Sequence, residues 1–197
     1  TTGVKPTRRR PTTLPRVFIS LAGVVADVDK ALPADFYNLE SDADKWSFLH
    51  AWPSRHGFFG SLEKTADGDI LWGALHGPRL DSDVYTRDMF VLTSVRAGND
   101  VWAGDQIRTW CKSTFRQSPD RVCVCFEGEE STHCFPGDVL ITADASLREA
   151  WEDAGGKIVV HATAQDTVVQ LRGLGVLNAE SSSMAAATTA SVVDADE

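Results

Sequence analysis

The stretch RVFISLAGVVAD, residues 16–27, decides how the rest of the chain is read. Val17, Phe18 and Ile19 form an unbroken apolar run of β-branched and aromatic side chains, and Gly23 follows as a turn former. A short continuous apolar run closed by a turn signal is the pattern of a strand buried on both faces. Similar runs recur at RDMFVLTSV (87–95), DRVCVCF (120–126), GDVLITAD (137–144) and KIVVHA (157–162). The segments between them carry Trp, Phe and Leu at spacings of three and four, which predicts helices over 42–52, 57–77, 101–115, 146–155 and 163–175. Ser146 is placed to cap the fourth of these, and the Gly155–Gly156 pair to end it. Buried strands alternating with helices predict an α/β fold: a three-layer, Rossmann-like parallel sheet. Such sheets bind ligands beyond the carboxyl ends of their strands, so the residues just after each strand carry the functional information.

The 197 residues suffice for one domain with a sizeable core. No apolar run approaches the ~20 residues of a membrane span, and the N-terminus lacks the layout of a signal peptide. A cytoplasmic location is therefore the default, and no membrane contact is expected. The first residue is Thr1, as expected if an initiator methionine is trimmed before a small residue. The net charge of −9 argues against nucleic-acid binding by the globular part, but the charge is unevenly spread. Residues 1–15 form a Thr/Pro/Arg-rich arm with Lys5, Arg8, Arg9 and Arg10, and Arg16 adjoins it. Its prolines oppose helix and sheet, so it should be extended, with a reach of about 50 Å. Residues 178–197 are small, polar and acidic and cannot bury enough surface to fold alone.

Cys123, Cys125, His133 and Cys134 cluster in the sequence, but Cys-x-Cys on a strand beside an adjacent His–Cys pair makes a poor zinc clamp; buried thiols are the expected reading. The six tryptophans, at helical spacings among apolar neighbours, read as packing residues, with Trp52 the one placed to anchor an interface.

Taken in order, RVFISLAGVVADV, FFGSLEKTADGDILWGAL, MFVLTSV, WAGDQIRTWCK and the run from GDVLITAD to QLRGLG resemble the haloacid dehalogenase-like (HAD) superfamily, and within it the 5'(3')-deoxyribonucleotidase-like branch. The resemblance covers about residues 16–177 and implies a small helical cap inserted after the first strand, about 31–80. It also implies a chemistry. A nucleophilic aspartate ends the first strand, and a second one two residues later protonates the leaving group. A hydroxyl after the second strand and a nearby Lys or Arg hold the phosphoryl group, and acids after the fourth strand hold Mg²⁺. Residue by residue, those places hold other letters here. Ser20 stands at the nucleophile position and Ala22 at the acid/base position. Thr142 and Ala143 replace the metal-binding acids. Where a base is due, the chain offers Glu127, Glu129 and Glu130, with Lys112 a weak substitute. Gly23 and the hydroxyls of Thr93 and Ser94 survive.

The expectation is accordingly a catalytically inactive domain with neither metal nor cofactor. A serine nucleophile would need a base at hand, for which His161 is the best placed, and a rebuilt metal site would need Asp27 and Asp144. Thr93, Ser94 and the backbone of the 20–23 turn could still hold a phosphate, which keeps a nucleotide-binding regulatory role or residual hydrolase activity as alternatives. The leading expectation is a structural component of an assembly, such as a capsid decoration or cement protein of a phage virion assembled in the host cytoplasm. Its arms would lie on neighbouring protein subunits such as the major capsid protein. Lys5, Arg8, Arg9, Arg10 and Arg16 would then contact acidic shell surface or, weakly, nucleic acid.

Overall fold

A computed structural model describes residues 15–76 and 88–177. Within them lie β1 (Val17–Ser20), β2 (Met89–Val95), β3 (Val122–Phe126), β4 (Val139–Thr142) and β5 (Lys157–Val160), joined by helices α1 (Val28–Ala31), α2 (Asp42–His50), α3 (Gly57–Gly60), α4 (Gly68–His76), α5 (Asp100–Phe115), α6 (Arg148–Asp153) and α7 (Ala164–Gly173). The five strands are parallel in the order β3-β2-β1-β4-β5. This is the Rossmann-like α/β fold expected from the buried runs, with β1 central. The basic arm and the acidic tail lie outside the described residues, as do Lys5, Arg8, Arg9 and Arg10.

The side-chain alternation of the strands sorts the core into two unequal halves. Val17 and Ile19 of β1, Val91 of β2, Ile141 of β4 and Val159 of β5 share one large cluster with residues of α4, α5 and α7. Phe18, Leu92, Leu140 and Ile158 point to the other face and meet a single large side chain, the buried Trp151 of α6, together with Cys125. The crossovers around β1–β2–β3 therefore fill one layer, and those around β4–β5 supply the thinner one.

The helical insertion between β1 and β2 is present, and its apolar residues belong to the large core. Leu49, Phe58, Phe59, Leu62, Leu71 and Trp72 sit in one cluster with Val17 and Ile19. The aromatic rings run on in edge contacts from Trp52 to Phe58 and Phe58 to Phe59, and in a tilted contact from Phe59 to Trp102. Trp52 thus spends its ring inside the chain, against Phe48 and Phe58.

Two local expectations are corrected. The single helix expected over 57–77 is two, because the residues between α3 and α4 serve the β1 turn. Leu62 O accepts from Trp110 Nε1 at 2.8 Å, and Glu63 O accepts from Asp27 N at 2.9 Å. Thr65 Oγ1 donates to Val24 O at 2.5 Å. Gly68 then opens α4 against the turn, where an added Cβ would stand 3.1 Å from Val25 O. Ser146 does not cap a helix with its hydroxyl; its backbone N–H is itself capped by Asp144 Oδ1 at 2.9 Å, and a 3-10 turn (Ala145–Leu147) precedes α6. Gly155, at φ +87°, ends that segment as expected.

Candidate functional site

Two adjoining concavities open at the carboxyl ends of the strands, where the fold places ligands. The smaller, about 160 Å³, brings together Ser20, Ala22, Thr93, Ser94 and Thr142, five of the positions singled out in the sequence. The larger, about 540 Å³, lies beside it toward the loop after β3. Ser94, Glu130, Asp144 and Leu147 border both. Among the described residues the insertion of residues 28–76 contributes nothing to either wall.

The β1 turn that would cradle a phosphate is committed to its own fold. Leu21 N donates to Leu92 O at 3.2 Å and Gly23 N to Ala26 O at 3.0 Å, so these amides are not aimed at a ligand. Gly23 adopts a left-handed φ of +71°, and an added Cβ there would stand 2.9 Å from the Ala143 methyl. The turns after β1 and β4 therefore pack on each other at Gly23 and Ala143, beside the concavity that Ser20, Ala22 and Thr142 line. Thr142 is buried, and its Oγ1 accepts from Asp144 N at 3.1 Å. It stabilises the turn.

The residues proposed as substitutes take other roles. His161 does not serve Ser20: its Nδ1 lies 2.8 Å from Thr167 Oγ1 and its Nε2 3.7 Å from Asp67 Oδ2. Burial holds its pKa below the usual histidine value, with Asp67 opposing. Asp67 also accepts from Ala164 N at 2.7 Å, so the group joins β5, α7 and the start of α4. Asp27 caps α1 through Lys30 N at 3.1 Å, while Asp144 caps the turn before α6. Lys112 is exposed on α5 and borders neither concavity. A Mg²⁺ ion does not fit: Ala22, Thr142 and Ala143 offer no carboxylate, and the described residues contain no group of three or more His, Cys, Asp or Glu arranged to hold a metal.

The expectation of buried thiols holds for Cys125, whereas Cys123 and Cys134 are half-buried. Cys123, Cys125 and Cys134 pack on the Trp151 side of the sheet, and all are reduced. Burial pushes the Cys125 thiol up to about 12, with nearby Glu130 adding to the effect. Cys111, inside the large core, is likewise pushed up to about 12 by burial. Thiols held this far from ionisation are neither nucleophiles nor ready metal ligands.

The sequence marked Glu127, Glu129 and Glu130 only as places where a base was missing. The fold gives two of them a positive role by setting Glu127 and Glu130 round the larger concavity with Asp144. Glu130 is only 7% exposed, and its carboxylate has neither a hydrogen bond nor an ion pair among the described residues. Its neighbours in the wall are the hydroxyls of Ser94, Ser131 and Ser146 and the apolar Leu147 and Ala150. Among the described residues no lysine or arginine borders either concavity.

Arg16 is also accounted for within the domain. Its Nε reaches both carboxylate oxygens of Asp138, at 3.1 and 3.0 Å, and its Nη2 bonds Asp138 Oδ2 and, at 2.8 Å, His133 O. The guanidinium lies 4.6 Å from the centre of the Phe135 ring and 4.9 Å from that of Phe18. It anchors the amino edge of the sheet, opposite the concavities. This leaves Lys5, Arg8, Arg9 and Arg10 as the candidate contacts of the arm.

Fold and site together define a doubly wound α/β protein with an acid-lined, hydroxyl-rich depression at its ligand edge. Compared with protein-family models and with curated proteins, the chain gives no match. Among the described residues no helix is long and apolar enough to cross a membrane.

Proposed function

We propose that this chain is a catalytically inactive HAD-like domain that serves as a structural component of a larger assembly, in the sharpest form a decoration or cement protein of a phage virion. The single observation that carries the first half is that Ser20, Ala22 and Thr142, which line the smaller concavity, bring no carboxylate to the place where phosphoryl transfer needs a nucleophile, an acid and ligands for a cation. The serine that remains has no base: the best-placed histidine is turned to Thr167 and Asp67.

The arms support the second half. A stretch holding Lys5, Arg8, Arg9 and Arg10 and a tail ending in Asp194, Asp196 and Glu197 suit salt-dependent contacts with neighbouring protein subunits. Contact of the arm with packaged nucleic acid would be a weaker addition.

The phosphate-binding alternative is opposed by charge. A phosphate in the smaller concavity would face Glu130 and Asp144, with no cation in the wall among the described residues. Two unit charges of like sign about 4 Å apart repel by about 4 kcal/mol at an effective dielectric of about 20. Hydrogen bonds from Thr93 and Ser94 to a charged phosphate return about 1.5–3 kcal/mol each, which the two acids in the wall outweigh.

The assembly reading is tested by composition. Mass spectrometry of purified particles from the organism that encodes the chain should find it at a fixed ratio to the shell subunit. The ratio should hold through gradient purification and fall when salt is raised. A chain found only in the soluble fraction, with no stable stoichiometry, would end the reading.

A further inference from the structure

We propose that the larger concavity is a receptor for an organic cation, an alkylguanidinium or alkylammonium head group, bound by Glu130 at the back with Glu127 and Asp144 at the rim. The inference goes beyond the assembly role and stands without it, because it rests on the pocket alone.

Glu130 is the decisive residue. Carboxylates are rarely buried unless paired, because desolvating the charge is costly. The chain itself obeys this rule at Asp138, which is 2% exposed and held by Arg16 and by Phe135 N at 2.8 Å. Glu130 is nearly as deep at 7%, has no such partner among the described residues, and borders both concavities. A deep side chain with no partner among the described residues, whose carboxylate still reaches open space where it borders the concavities, points to a positively charged guest.

Size and layout select the kind of cation. A volume of about 540 Å³ falls in the range of small-molecule sites. No group of three or more acidic, His or Cys side chains among the described residues is close enough to share a metal ion. Separated carboxylates with the Ser94, Ser131 and Ser146 hydroxyls between them instead match a head group with several diverging N–H donors. Leu147 and Ala150 give the attached alkyl chain an apolar wall. The same head group has two sources, a free amine or the side chain of a basic peptide, and the test separates them.

The full chain is titrated by calorimetry with agmatine, with the peptide acetyl-Ala-Arg-Ala-amide, with inorganic phosphate and with MgCl₂. Saturable binding of agmatine or of the peptide is expected. It should weaken by about tenfold or more in Glu130→Gln, and by a smaller factor in Glu127→Gln at the exposed rim. Phosphate and Mg²⁺ should give no saturable heat. Tighter binding of agmatine assigns a free amine, and tighter binding of the peptide assigns a protein side chain. Melting curves of both variants report folding, and the rim variant keeps the test decisive if Glu130→Gln does not fold. No saturable binding of either cation up to about 10 mM, binding that both substitutions leave unchanged, or a preference for Mg²⁺ or phosphate would overturn the proposal.

Discussion

The two edges of the sheet treat a buried carboxylate in opposite ways. At the amino edge Asp138 is closed in by Arg16 and the Phe135 amide, and the guanidinium is stacked among Phe18, Phe90 and Phe135. At the carboxyl edge Glu130 stands beside a depression with hydroxyls around it and no cation in the wall among the described residues. The first arrangement ties the starts of the strands together. The second has no such partner among the described residues, and the proposed organic cation would supply one. The contrast also separates the two arginine-bearing regions of the sequence, since Arg16 is consumed by the first edge while Arg8–Arg10 lie beyond the described residues.

The largest effect should follow from breaking the complete edge. Arg16→Met leaves Asp138 buried with its main partner gone and should cost about 3–5 kcal/mol in urea unfolding. A loss below about 1 kcal/mol would mean that the pair does not anchor the sheet.

Next in size is Gly156→Ala, which tests the thin layer behind the concavity. The added methyl would lie 2.3 Å from Trp151 Nε1 and 2.5 Å from Cys134 Sγ, so the ring that covers this face must move. A cost of about 1–3 kcal/mol is expected. Retained stability with unchanged tryptophan fluorescence would show that Trp151 is not held as described.

Glu130→Leu sharpens the comparison from the other side. Removing an acid that has no partner among the described residues should change stability by less than about 1 kcal/mol, far below the effect of Arg16→Met. A loss as large as that of the arginine variant would reveal a structural partner for Glu130 and remove the distinction between the edges.

The smallest effect is a pH dependence away from both edges. Burial depresses the folded-state pKa of His161, so the fold favours the neutral ring, whereas the unfolded chain titrates near 6.5. Below that value the unfolded state binds more protons, so stability is full above about 6.5 and falls as pH drops through 6.5 toward the folded value. His133, depressed mainly by burial and further by Arg16, acts in the same direction. The melting temperature should therefore decline between pH 7 and 5, and His161→Gln should flatten part of that decline. A wild-type melting temperature that rises over this range would contradict the assignment.

Much of the fold was legible in the sequence because buried parallel strands leave continuous apolar runs, and five such runs gave five strands. The split of 57–77 into two helices was not legible, because Leu62 continues the helical period while its carbonyl serves Trp110. For the site, the strand ends were the informative places, and the structure brings Ser20, Ala22, Thr93, Ser94 and Thr142 together in one concavity there. The meaning of Glu130 could not be read directly. In the sequence it is one acid in an acidic loop, and only the packing of β3 and the turn after it decides that this one is buried and Glu129 exposed. Arg16 was misleading for a related reason: it follows a basic arm, yet its partner Asp138 lies more than a hundred residues away.

The central claim is that this ligand edge has exchanged phosphoryl chemistry for a different surface. It is tested most directly by incubating the full chain with deoxynucleoside monophosphates and Mg²⁺, following phosphate release and the intact mass of the protein. The account predicts no release above the protein-free control and no added phosphate on the chain. Release that tracks the protein through purification, or a phosphorylated side chain at the carboxyl edge of the sheet, would contradict it.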